Sequence, residues 1–324
     1  MSSQPHDALF KAVFSQAEHA AGLLSTVLPA ALCARLDWST LARSAGAFID
    51  PQLAERRSDL LFSVRTRQGS MVLLYVLIEH QSEPDPWMAL RLHGYVHRIW
   101  EHWRREHGAA ERLPAVLPVV VHHGASGWTA ARSLGELYDL DADAREVLDP
   151  LLPELRFVLD DLGRIAMERV EQRPMTDLGR LALLFLQRVR ISPDLAADVR
   201  RWLGMLGRVF SAPSGGEAVG LLLSYILSVL ETVPDGVLAA LDAGLGREAR
   251  EVYMSAAQKL IDQGRDQGRV EGKAEMLLQL VQLRFGSPPP TIVARVRAAS
   301  DSELAQWAER ILTAPTLADL FASE

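Results

Sequence analysis

One cysteine, Cys33, occurs in 324 residues, which excludes an internal disulfide and fits a reducing compartment. Long apolar runs are scarce as well. The stretch from Val219 to Leu230 is interrupted by Ser224 and Ser228 and falls short of the ~20 residues that a bilayer needs. Residues 1–7 carry neither the basic start nor the apolar centre of a secretory signal. We therefore expect a cytoplasmic protein with no membrane partner. Positive charge is also in deficit: the net charge of −7 argues against a protein that coats nucleic acid indiscriminately. The deficit is uneven. Residues 1–112 hold twelve Lys/Arg against twelve Asp/Glu, the remainder holds 22 against 29, and no histidine follows His123. The first third reads as the chemical part of the chain and the acidic remainder as a helical accessory.

What is present is a strong apolar pattern, 48% of side chains, enough for a sizeable core. Its centre is Met71 to Ile78, unbroken until it stops on Glu79, which fits a strand covered on both faces. Upstream, residues 59–66 alternate polar and apolar, and Arg67, Gln68, Gly69 and Ser70 are turn chemistry, so the two strands form a hairpin. With those four residues as the loop, Thr66 pairs with Met71, partners sum to 137, and Asp59 lies beside Ile78 or Glu79. Glu79 and Gln81 leave one side of the strand ~6.6 Å apart. Carboxylates brought together in this way are unstable if buried and unpaired. A cation between them resolves the conflict, and hard oxygen ligands suit Mg²⁺.

Before the hairpin, Asp7 is a good N-cap for a helix that puts Leu9, Phe10, Val13 and Phe14 on one face. Asp7 and Lys11 are either a solvated pair or part of the site wall. Residues 20–46 read as two helices broken at Pro29, and Arg56 and Arg57 before Asp59 as surface charge or a phosphate contact. After the hairpin, Trp87 to Trp100 starts a long helix with Arg91 and Tyr95 on one side. Residues 114–123 form a further strand, and 155–160 one more. From Thr176 the pattern is helical, over 178–190, 195–210, 218–233 and 246–261. Glycines at 264, 268 and 272 then stack on one side of a helix, which implies either close packing against another helix or chain, or a flexible linker. Short helices are expected over 291–298 and 301–312.

The sequence resembles the Rpn family of recombination-promoting nucleases, also called YhgA-like putative transposases, of the PD-(D/E)XK superfamily. The matching pieces are His6-Asp7 with Phe10-Lys11 and Phe14, Arg57-Ser58-Asp59-Leu60-Leu61, Glu79-His80-Gln81-Ser82, Arg91-Leu92 with Tyr95, and Leu117 to Val121 with His123-Gly124. They cover residues 6–165 in order. The end of the chain, from the glycine repeat to Leu320, resembles a small domain found at the carboxyl end of such proteins.

The resemblance implies an α/β fold with a PD-(D/E)XK restriction-endonuclease-like core, a mixed central sheet flanked by helices, followed by an all-helical C-terminal region. The expected divisions are a nuclease core over 1–170, a helical domain over 171–262, the glycine-repeat helix over 263–285 and a small helical domain over 286–324. It also implies a metal-dependent DNA endonuclease. Asp59, Glu79 and Gln81 would be catalytic, and Asp59, Glu79 and the His80 carbonyl would hold Mg²⁺ or another divalent cation. Arg57, Arg91, Tyr95 and Lys11 would contact DNA, with Asp7 as a supporting acid. Gln81 stands where the superfamily usually has Lys; an amide can orient a water but supplies neither base nor positive charge. That departure gives the alternative of a nuclease fold that binds DNA or protein without cutting. Dimerisation through the helical C-terminal half is expected.

Overall fold

The computed structural model describes residues 5–44, 60–79 and 84–322, with backbone alone at Ile78, Glu79 and Gln263. Two helices open the chain, α1 (Pro5–Phe14) and α2 (Ala17–Val27), followed by the short α3 (Ala30–Cys33). Leu9, Phe10, Val13 and Phe14 of α1 and Ala20, Leu23 and Leu24 of α2 are buried, as the helical spacing requires. The second helix expected up to residue 46 gives way to a strand, β1 (Leu36–Arg43). This edge strand pairs antiparallel with β2 (Leu60–Thr66), and its register slips between Asp37 and Ala42. The irregularity breaks the period-two pattern that would have marked it as a strand.

β2 pairs antiparallel with β3 (Met71–Glu79) from Leu60↔Val76 to Arg65↔Met71, so partners sum to 136 rather than the expected 137. The cause is the turn. Gly69 N donates to Thr66 O at 2.8 Å, Thr66 N donates to Ser70 O at 2.8 Å, and Gly69 has φ +91°. This is a three-residue loop closing on a glycine bulge, which shortens the effective loop by one. A single-residue slip would exchange the faces of every side chain on one strand relative to the other.

After β3, α4 (Met88–Glu106) crosses over to β4 (Ala115–His122), which runs parallel to β3, and β5 (Val158–Asp161) runs parallel to β4. The sheet order is β1-β2-β3-β4-β5. On β3, Val72, Leu74 and Val76 join one core while Leu73, Tyr75 and Leu77 join another. Double burial of successive residues explains the unbroken apolar run, at roughly 1.5–3 kcal/mol per large side chain. The second core is closed by Met88, Ala89, Leu92, Tyr95 and Ile99 of α4.

The first core is larger. Beyond α5 (Ala142–Leu148) and α6 (Met167–Glu171), it takes in α7 (Asp177–Arg188), α8 (Leu195–Phe210), α9 (Gly215–Val229) and α10 (Asp235–Leu245). Buried residues run without interruption from Leu9 through Leu74 and Leu184 to Leu241. Gln187 of α7 donates to Leu162 O (2.8 Å) and Ile165 O (2.6 Å), tying the helical layer to the segment after β5. The architecture is thus a mixed five-stranded sheet flanked by helices and followed by an all-helical region.

Contacts divide the chain into two compact units, residues 3–253 and 254–324. The 39-residue α11 (Arg247–Phe285) begins in the first and supplies Ala274, Leu277 and Val281 to the core of the second. There it meets α12 (Pro290–Arg297), α13 (Asp301–Arg310) and α14 (Leu317–Leu320) through Val296, Leu304, Trp307 and Leu320. Ser300 and Glu303 form a reciprocal capping box at the start of α13. The helix–helix contact expected at the glycine column is absent within the described chain: a Cβ at Gly264, Gly268 or Gly272 would meet nothing within 4 Å.

Candidate functional site

The neighbouring ends of β3, β4 and β5 form a row, with Glu79 paired to His122 and His122 to Asp161. His122 is fully buried and meets the Trp128 ring edge-on at 5.3 Å. Trp128 N donates to Asp161 Oδ2 at 2.7 Å, and Arg164 Nε lies 3.6 Å from the same oxygen. Next to it, Asp160 is 3% exposed and takes a two-pronged grip from Arg173 at 2.6 and 2.7 Å. Such a pair stays buried because each charge is matched in place.

On the other side of the sheet, His123 packs against His6 at 4.8 Å between ring centroids, and His6 Nδ1 lies 2.9 Å from the Tyr225 hydroxyl. Burial pushes the Tyr225 phenol far above its usual range. These contacts fasten the start of α1 and the end of β4 to α9. The exit loop after β4 is pinned by a close approach: a Cβ on Gly163 would sit 2.1 Å from Gly124 O.

Of the expected site residues, Arg57, Asp59, His80 and Gln81 lie outside the described residues, and Glu79 is described as the last backbone position of β3. Asp7 and Lys11 are half-buried on α1. Arg91 Nη1 grips Asp85 Oδ2 at 2.8 Å, bracing the turn at the start of α4. Tyr95 is 7% exposed, its ring edge-on to Tyr75 at 5.6 Å, a core position. Among the described residues, no group of three His, Cys, Asp or Glu could hold a metal ion. Sequence reasoning passed over His122 and Asp161 as neighbours of Glu79, because parallel register across a crossover leaves no local signal.

A family model described as putative transposase, YhgA-like, matches residues 4–215. The chain belongs to this family, that of the recombination-promoting nucleases. It is 30% identical to recombination-promoting nuclease RpnA of Escherichia coli K12 over 311 residues, covering 94% of this chain and 97% of that one. Over 124 residues it is 37% identical to RpnD of Escherichia coli O157:H7, which covers 38% of this chain and 47% of that protein. It is also similar to the inactive recombination-promoting nuclease-like protein RpnE of Escherichia coli K12, at 29% over 284 residues, 86% of this chain and 89% of that one. No solved structure matches. Membership in the recombination-promoting nucleases supports a nuclease function, in a fold whose described helices include none long and apolar enough to cross a membrane.

Proposed function

We propose that the chain is a divalent-metal-dependent DNA endonuclease with a PD-(D/E)XK-type site, in which Asp59, Glu79 and the His80 carbonyl hold Mg²⁺. The observation that carries this reading is the β2–β3 register. Leu61, Leu73, Tyr75 and Leu77, all odd-numbered, share one face of the hairpin, and on this reading that odd-numbered series extends to Asp59 and Glu79. With a register sum of 137, odd positions of one strand would have shared a face with even positions of the other. Two carboxylates and a carbonyl are a hard-oxygen donor set suited to Mg²⁺. An ion held there would polarise the scissile phosphate and lower the pKa of a bound water.

The remaining roles belong to the chain itself. Gln81 orients the water through its amide, and Lys11 and Arg57 supply positive charge at the phosphate. Arg91, through its grip on Asp85, sets the approach of α4 to the DNA, with Tyr95 packed beneath. Asp7 is the supporting acid. A dimer through the helical C-terminal half would place two sites on a twofold axis and allow both strands to be cut. The second reading, binding without cutting, is favoured by the neutral Gln81 and by a similar protein named inactive.

A plasmid-nicking assay with Mg²⁺, Mn²⁺, Ca²⁺ and EDTA separates the two. We expect cleavage with Mg²⁺ or Mn²⁺, none with EDTA, and at least ~100-fold loss in Asp59→Asn and in Glu79→Gln, since each removes a charge that holds the ion. Full activity in either variant rejects the assignment, and DNA binding with no cleavage under any metal selects the second reading.

A further inference from the structure

We propose that the end of the sheet opposite Glu79 is a second anchor for duplex DNA, gripping the phosphate backbone far from the reacting strand. This inference rests on the nuclease reading for its ligand, and on the surface itself for its location.

Three segments meet at that end. Arg67 N donates to Arg35 O at 2.8 Å, which joins the start of β1 to the β2–β3 turn. Val72 pairs with Ala115, so the turn also borders the start of β4. Trp100 Nε1 donates to Pro114 O at 2.9 Å, bringing in the last turns of α4. Residues 35–37, 65–70 and 104–112 from these segments contain six arginines, Arg35, Arg65, Arg67, Arg104, Arg105 and Arg112, against Asp37, Glu106 and Glu111. The local balance is +3 in a chain of net charge −7, which leaves −10 for everything else.

All six arginines are exposed, and none forms an ion pair among the described residues. Arg104 and Arg105 also suit the C-terminal dipole of α4, but that explanation does not reach the three arginines of the strands and their turn. Arg65 continues the series of Leu61, so it lies on the face of the sheet that α4 covers. Beside Arg104, the Trp103 and His107 rings stack at 3.6 Å and 10°.

Spacing makes the partner specific. β3 runs from Met71 to Glu79, eight steps, or ~26 Å at ~3.3 Å each. That span equals about 7–8 base pairs at ~3.4 Å per pair. One duplex longer than this engages both ends of the sheet, and a shorter one cannot. Guanidinium groups without base-reading partners give contacts to phosphate that are salt-dependent and indifferent to sequence.

The test measures binding of the full chain by fluorescence anisotropy in EDTA, where cleavage cannot interfere, on duplexes of about 20 and about 6 base pairs. The variant carries Arg65→Glu, Arg67→Glu, Arg104→Glu and Arg105→Glu; a companion carries Lys at the same four positions. We expect the Glu variant to bind the long duplex at least ~10-fold more weakly, with the slope of log K against log salt reduced by about 3. It should bind the short duplex within about twofold of the wild type, and the Lys companion should keep both affinities. Equal loss on both duplexes, or no loss on either, overturns the proposal. So does wild-type binding to vesicles of anionic phospholipid without binding to the long duplex. A chain that shows the length-dependent loss but never cuts sustains the anchor and fails only the nuclease reading.

Discussion

His19 is 8% exposed in α2, with Nδ1 2.8 Å from Thr176 Oγ1, the hydroxyl that also caps α7 by accepting from Gly179 N. Burial pulls its pKa below the ordinary 6.5, against a smaller upward pull from Glu18. A base whose folded pKa is depressed binds its proton more readily when unfolded, so protonation opposes folding. The sign follows: stability is unaffected well above 6.5 and falls as pH drops through that value toward the folded pKa. We expect denaturant midpoints at pH 7.5 and 5.5 to differ more in the wild type than in His19→Asn. Parallel behaviour of the two proteins would show that His19 does not couple α2 to α7 through its proton. Asp177, at the start of α7, works in the same direction at lower pH. The Arg208 hydrogen bond, with help from Arg180, holds its carboxyl below the usual range, so its contribution persists above about pH 4 and vanishes in more acid solution.

The turn between β2 and β3 decides which side chains of the hairpin share a face, and Gly69 decides the turn. At φ +91° a side chain is strained, so Gly69→Val should cost about 1–2 kcal/mol even though an added Cβ meets no neighbour. Inserting one residue beside Gly69 tests the register more sharply, since it should abolish nicking while two inserted residues should restore part of it. If the single insertion leaves nicking intact, parity does not bring Asp59 and Glu79 together. Both strands of this hairpin were legible in the sequence because each carries its burial pattern locally. The register was off by one because a glycine bulge depends on backbone angles that composition does not display. β1 was invisible for a related reason. Only Leu36 and Leu41 in it are buried, five residues apart, and the slip between Asp37 and Ala42 erases any alternation. The end of β3 announced Glu79 through the abrupt stop of its apolar run. Nothing near it announced His122 or Asp161, which reach it only through parallel pairing across a 19-residue helix and a long loop.

At the scale of the molecule, the glycine column of α11 meets nothing among the described residues, so each glycine weakens the helix without a compensating contact there. Gly268→Ala should therefore stabilise residues 254–324 by up to about 1 kcal/mol if the chain acts alone. Loss of association in light scattering, with no gain in melting temperature, would instead mark the column as a meeting face between copies. The sheet itself separates two apolar bodies of unequal size: the larger joins α1, α2 and α7 to α10, and the smaller depends on α4 and the loops after β4. Unequal bodies open unequally. Amide hydrogens of α4 should exchange with solvent well before those of β3 and α7, because α4 can lift from Leu73, Tyr75 and Leu77 while the other side of the same strand stays sealed. The face of β3 that carries Leu73, Tyr75 and Leu77 would then be uncovered by a partial opening that leaves the rest of the protein folded. The breathing of that one helix could be read amide by amide in native-state exchange.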